Sequence, residues 1–206
     1  PETQGHYSFY VPDVFATGKE CFPKNVELFQ DINLKLSRKS ARNVDSTIPY
    51  KDMFKLFGKI GSLGFKTGTM KDIGGHLIQE KRTPWKTVRR RTYQTVLSFD
   101  VFFKLLKKEK PDFTTFFTNH VASSQHRYWA AVFPTEYKDM KYGQDWISTY
   151  ENEILFTMGK TDEMLQRLAA FVDKNPVYKL VITSSMGQEA VELSLIHISE
   201  PTRQEA

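Results

Sequence analysis

The sequence is poor in cysteine and has no long apolar run. Cys21 is the only cysteine among 206 residues, which excludes an internal disulfide and a thiolate zinc cluster. No apolar run approaches the roughly 18 to 20 residues that cross a bilayer, so we expect no membrane span. The chain starts at Pro1, and its first residues lack the pattern of a signal peptide. We therefore expect a processed chain or a fragment, and the sequence leaves its compartment open.

Positive charge is unevenly distributed along a chain whose formal net charge is +5. Residues 81–91 hold six cations around Trp85, and a second basic group follows it at Lys104, Lys107, Lys108 and Lys110. The cations of the first group are Lys81, Arg82, Lys86, Arg89, Arg90 and Arg91. Basic residues beside an aromatic ring can follow a phosphate backbone or attract small phosphoesters. They can equally well be the solvated outer face of a helix, and both interpretations stay open.

The last residues differ in character from the rest of the chain. The stretch "LSLIHISEPTR", residues 193–203, closely resembles the in-frame translation of a transposase-type sequencing-library adapter. We therefore expect residues 193–206 to be non-native and leave them, with His197, out of the fold and site predictions. On this interpretation the natural C-terminal part of the protein is missing.

Two segments repeat the order of helix, proline and apolar run. Helical spacing of apolar residues over 92–110 is followed by Pro111 and "FTTFFT", and the same spacing over 164–172 is followed by Pro176 and "VYKLVIT". The pattern predicts an α/β fold with a mixed or mostly parallel sheet flanked by helices. Residues 1–98 are expected to be mainly helical, with glycine-rich turns over 58–75, and residues 99–192 are expected to form the α/β core.

Polar loops follow both predicted strands. "NHVASSQHR" supplies Asn119, His120, His126 and Arg127, and "SSMGQ" supplies Ser184 and Ser185. Ligands of open parallel sheets bind at the carboxyl ends of the strands, so the two loops are expected to converge on one site. The histidines could instead hydrogen-bond a loop backbone, and the serines could end a strand or cap a helix.

The same residues resemble a known enzyme family. "PDFTTFFTNHVASSQHRYW" is similar to the segment of alkaline-phosphatase-like hydrolases, especially type I phosphodiesterases and nucleotide pyrophosphatases, that contains D-x-x-G-H. "VITSSMGQ" is similar to the later S-D-H-G segment of that family. The resemblance implies phosphoester hydrolysis with two divalent metals, zinc or manganese, and a serine or threonine nucleophile. It also implies that the helical residues 1–98 are an insertion or cap on the α/β core.

Carried over position by position, the resemblance makes His126 the metal ligand of D-x-x-G-H. Ala122 and Gln125 stand where the family has aspartate and glycine, and Ser185 and Met186 replace the Asp-His pair of the later segment. The predicted metal centre is therefore partly degenerate. One alternative is a shifted alignment in which Asn119 or His120 replaces the lost aspartate. Others are that the metal centre has been lost while the fold is kept, or that the resemblance is only architectural. The catalytic nucleophile is not identified and is expected outside this piece.

Three functions follow from these residues. The first is a metal-dependent phosphodiesterase or phosphatase, of which this piece alone is expected to be inactive. The second is a non-catalytic relative that binds a phosphorylated or sulfated ligand, for which Asn119, His120, Arg127, Ser184 and Ser185 are the candidate contacts. The third is nucleic-acid binding through residues 81–91, although we expect a small anionic ligand rather than a nucleic acid.

Overall fold

The computed structural model describes residues 7–14, 16–42, 58, 60–184 and 187–190. These residues form helices and no β-sheet. The α-helices are α1 (Glu27–Arg42), α2 (Ile60–Leu63), α3 (Thr67–Arg82), α4 (Arg90–Glu109), α5 (His120–Val132), α6 (Gln144–Tyr150) and α7 (Glu153–Asp173), and 3-10 helices cover Lys24–Val26, Pro84–Arg89 and Pro134–Glu136. The chain divides into two compact units, Pro1–Thr118 and Asn119–Ala206.

The core of the first unit lies between α1, α2 and α4. Helical spacing of apolar residues gives each of these helices one apolar face, and burial of those faces holds the unit together. The buried residues are Cys21, Val26, Phe29, Ile32, Leu63, Phe65, Val101 and Leu105. Burial raises the pKa of the Cys21 thiol to about 12, so this cysteine stays protonated and unreactive at neutral pH.

A buried carboxylate fixes the start of α3 against α4. Lys66 occupies the N-cap position of α3 without a side-chain cap, and its backbone N–H donates to Asp100 Oδ2 at 2.9 Å. Asp100 lies on α4 and is fully buried. A negative charge at a helix N-terminus is favourable, because the unpaired N–H groups there carry partial positive charge. Asp100 therefore sets where α3 begins relative to α4.

The predicted α/β fold is wrong. Neither "FTTFFT" nor "VYKLVIT" forms a strand, and the only β-type pairing in the described part of the chain is an isolated bridge between Tyr10 and Phe22. Both segments carry the apolar and β-branched residues of strands, but a strand also needs a neighbour that pairs with its backbone. The described residues supply no such neighbour, so the α/β and alkaline-phosphatase-like descriptions do not fit this fold.

Two further local predictions need correction. The glycines over 58–75 were expected to give turns, yet α3 runs through both Gly74 and Gly75. Glycine weakens a helix by only about 1 kcal/mol relative to alanine, and contacts with α4 outweigh that cost. The predicted polar loop after Thr118 is also helical, since α5 begins at His120. Residues 193–206 lie outside the described part of the chain.

Replacing Gly64 or Gly74 by alanine should have opposite effects on the free energy of unfolding. Gly64 joins α2 to α3 with φ +87, and a Cβ there would lie 2.5 Å from Lys104 Cβ. Gly64→Ala should therefore lower the free energy of unfolding by about 1 to 3 kcal/mol. Gly74 has open space around its Cα, so Gly74→Ala should raise it by about 0.5 to 1 kcal/mol. Urea unfolding followed by circular dichroism measures both, and equal effects of one sign would contradict the two backbone assignments.

Candidate functional site

Helix α5 separates the two histidines that were predicted to share a site. Asn119 is the exposed N-cap residue, His120 is the buried first residue, and His126 and Arg127 are exposed one and a half turns later. Residues six apart do not share a helix face, so the helix directs His120 inward and His126 outward. His126 and Arg127 are therefore both exposed on α5, whereas His120 is buried, and the helix does not bring the two histidines into one site.

His120 belongs to the interface between α5 and α7. Its Nε2 lies 3.1 Å from Thr161 Oγ1 of α7. Burial lowers the pKa of His120 to about 4, because the interface excludes the water that would solvate an imidazolium. His120 is therefore a neutral histidine at physiological pH.

Hydroxyl groups continue this contact along the two helices. Thr157 Oγ1 lies 3.2 Å from Ser124 Oγ and 2.8 Å from the Glu153 carbonyl oxygen, which also accepts from Ser124 Oγ at 3.3 Å. The contacting residues recur at four-residue spacing, which places them on one face of each helix. We call this set the polar seam: His120, Ser124, Glu153, Thr157 and Thr161. The hydrogen bonds of the polar seam join α5 to α7, so these residues hold two helices together.

The other residues of the predicted site lie apart from the seam. Ser184 is exposed in a non-helical segment after α7, and Ser185 and Met186 lie outside the described residues. Within the described residues, no group of three His, Cys, Asp or Glu side chains comes close enough to hold a metal ion. The part of the chain in view therefore does not supply the donor set of a zinc or manganese centre, and His126 as a metal ligand stays a prediction.

A second candidate site lies where α3 passes into α4. Thr83 leaves the helical conformation, and Pro84 starts the 3-10 helix that connects the two α-helices. Six cations surround this connection, and we call them the basic surface: Lys81, Arg82, Lys86, Arg89, Arg90 and Arg91. Trp85 lies among them, with Lys86 Nζ 5.9 Å and the Arg89 guanidinium carbon 5.6 Å from its ring centroid. Two of the cations are therefore held against an aromatic ring.

Glu80 anchors a third cation of the basic surface. Arg90 Nε donates to Glu80 Oε2 at 2.9 Å, and a second guanidinium nitrogen donates to the same oxygen at 2.6 Å. The Glu80 side chain is only 5% exposed whereas that of Arg90 is 59% exposed. The hydrogen bond to Glu80 raises the pKa of Arg90, so its charge is fixed. This ion pair joins α3 to the first residue of α4.

His76 lies on the inner side of this ion pair. Its Nε2 is 2.6 Å from Glu80 Oε1, and its ring packs against Tyr93 with centroids 4.7 Å apart. Burial lowers the pKa of His76, while the Glu80 charge opposes that shift. The i, i+4 spacing of His76 and Glu80 is visible in the sequence, but it gives no sign that Arg90 completes the contact.

Comparisons with known proteins leave the family of the chain open. No protein-family model, no curated protein and no solved structure matches it. The resemblance to alkaline-phosphatase-like hydrolases therefore stays a prediction. Among the described helices, none is both long enough and apolar enough to cross a membrane.

The pKa of His120 predicts a loss of stability in mild acid. In the unfolded chain His120 titrates near 6.5, and in the folded chain near 4, so the unfolded state binds the extra proton first. The free energy of unfolding should fall by about 3 kcal/mol as the pH decreases from about 6.5 to about 4. His120→Gln should remove this share of the pH dependence in urea unfolding curves. His126→Gln, at an exposed position of α5, is the control, and an unchanged slope in His120→Gln would contradict the assignment.

Replacing Arg90 by alanine should also lower the stability of the fold. Arg90→Ala leaves the buried Glu80 carboxylate without its guanidinium, which should lower the free energy of unfolding by about 1 to 3 kcal/mol. The exposure of Arg90 keeps the expected value in the lower half of that range, because solvent screens the pair. Adding Glu80→Gln should recover part of the loss. Arg82→Ala, at an exposed position, should change stability by less than about 0.5 kcal/mol, and an equal loss in Arg82→Ala and Arg90→Ala would contradict the role of Glu80.

Proposed function

We propose that the chain binds a small phosphate- or sulfate-bearing ligand through the basic surface. The observation that carries the proposal is the density of charge, since residues 81–91 contain six cations and no carboxylate. Like charges at this spacing raise the local positive potential, which attracts multiply charged anions.

Three cations of the basic surface are held in place by neighbouring side chains, which favours a ligand-binding surface over a merely solvated helix face. Arg90 is held by Glu80, and Lys86 and Arg89 are held over the Trp85 ring. A cation that is already fixed loses less conformational entropy when a ligand arrives. The guanidinium groups also offer paired N–H donors that match the oxygens of phosphate and sulfate. The arrangement therefore suits a compact anion that touches several cations at once.

Charge reversal at the basic surface provides the direct test. Isothermal titration calorimetry with inorganic pyrophosphate should detect binding that weakens as salt is added. The triple variant Lys81→Glu, Arg82→Glu and Arg89→Glu should weaken it by about tenfold or more, because each lost charge-assisted hydrogen bond contributes about 1.5 to 3 kcal/mol. Arg90 is left in place because it neutralises Glu80.

The matched control is a second triple variant with the same change in net charge, placed at the C-terminal end of α4 and at its C-cap residue. Lys107→Glu, Lys108→Glu and Lys110→Glu reverse three cations in the second basic group. This variant should bind pyrophosphate with little loss. Equal weakening by both triple variants would show that net charge, rather than the basic surface, attracts the anion, and absence of binding to the unchanged chain would overturn the proposal.

Hydrolysis of a phosphoester is the second candidate function and rests on the resemblance at His126. The exposed, adjacent positions of His126 and Arg127 on α5 leave both side chains accessible to a ligand. Because this piece alone is expected to be inactive, the test measures metal binding rather than cleavage. Equilibrium dialysis should show zinc or manganese bound to the unchanged chain and lost in His126→Ala. Absence of bound metal, or equal binding by the two chains, contradicts the idea.

A further inference from the structure

His76 is a buried titratable group in contact with the carboxylate that anchors the basic surface. Its side chain is only 4% exposed, and its Nε2 lies 2.6 Å from Glu80 Oε1. The same oxygen accepts a hydrogen bond from Arg90 Nε at 3.0 Å. One carboxylate oxygen therefore touches a histidine on its inner side and an exposed guanidinium on its outer side. Because these contacts are short and largely shielded from water, a charge on His76 alters the electrostatic energy of Arg90.

Charged and titratable groups from three elements face His76. Glu80 lies on α3, Arg89 lies on the connecting 3-10 helix, and Arg90 and Tyr93 lie on α4. Burial lowers the pKa of His76, Glu80 opposes that shift, and the charges of Arg89 and Arg90 lower the pKa further. His76 is therefore neutral at neutral pH, and two arginines of the basic surface oppose its protonation.

We propose that His76 couples anion binding at the basic surface to proton uptake, so that a bound anion favours a proton on His76 and that proton strengthens the binding. This inference rests on the proposed function. Glu80 and Arg90 together carry no net charge while His76 is neutral, and the three side chains carry one positive charge once His76 is protonated. An anion on Arg89 and Arg90 offsets the two charges that oppose protonation. By thermodynamic linkage the effect is reciprocal, so the proton increases the affinity for the anion by the same factor.

His76 acts on the ligand as a positioning residue, because its burial keeps it out of contact with an anion on the surface. Arg90 can keep its place in both protonation states. A second guanidinium nitrogen donates to Glu80 Oε2 at 2.6 Å, and this bond leaves Oε1 available to an imidazolium. Since the pKa of His76 lies below its ordinary value of 6.5 in the free chain, the coupling should appear in mildly acidic solution and vanish at alkaline pH.

The imidazole Hε1 resonance of His76, assigned through bonds in the isotope-labelled chain, tests the coupling. With inorganic pyrophosphate at saturation and ionic strength held constant, this resonance should titrate at a higher pH than in the free chain. The Trp85 indole resonance follows the binding itself. The unchanged chain should gain about threefold or more in affinity relative to His76→Gln between about pH 8 and about pH 5.5. Pyrophosphate titrates in this range too, but its own contribution is the same for both chains and cancels in the ratio.

His126 is the control, since it is exposed on α5 and lies outside the basic surface. Its Hε1 resonance should titrate at the same pH with and without pyrophosphate, and His126→Gln should keep the affinity profile of the unchanged chain. A Trp85 signal that never responds to pyrophosphate overturns both the anion site and the coupling. A Trp85 signal that saturates while His76 titrates at an unchanged pH, or parallel affinity profiles of the unchanged chain and His76→Gln, overturns the coupling alone and leaves the anion site in place.

Discussion

The basic surface depends on one buried carboxylate, that of Glu80. Six cations within eleven residues repel one another, and this repulsion favours a chain that spreads them apart. Glu80 opposes it by accepting two hydrogen bonds from Arg90 at its Oε2 while its own side chain stays buried. Because Glu80 lies near the end of α3 and Arg90 begins α4, the pair also links the two ends of the connecting 3-10 helix, which contains Lys86 and Arg89. A carboxylate inside the fold thus makes a positively charged exterior compatible with a defined structure.

In the second unit, α5 and α7 are joined by hydrogen bonds of the polar seam, beside buried apolar side chains such as Ile154 and Met164. His120 stays uncharged in this seam, and the hydroxyls of Ser124 and Thr157 meet between α5 and α7. Buried polar groups that find partners favour one register of two helices over others, because a slip of one residue leaves them unsatisfied. The residues that the sequence marks as a histidine-rich loop are therefore divided between helix pairing and the protein surface.

The sequence located one long helix and part of another, because their apolar residues repeat with the period of a helix, whereas it missed α3 and α5. The predicted helix over 92–110 corresponds to α4, and the stripe over 164–172 lies within α7. The predicted strands were wrong because β-structure depends on a distant partner, whereas a helix forms its hydrogen bonds locally. The clustering of cations at residues 81–91 was readable from composition alone. The role of Glu80 was not, because it depends on a contact with a residue ten positions away.

The central claim, that the basic surface binds an anion, is tested most directly by the indole N–H resonances of the three tryptophans. Trp85 lies within the basic surface, whereas Trp129 donates to Glu136 and Trp146 stacks on Tyr142 in the other unit. During titration with inorganic pyrophosphate, the Trp85 signal should shift and saturate while the other two stay in place. Three unchanged signals, or three equal shifts, would contradict the account.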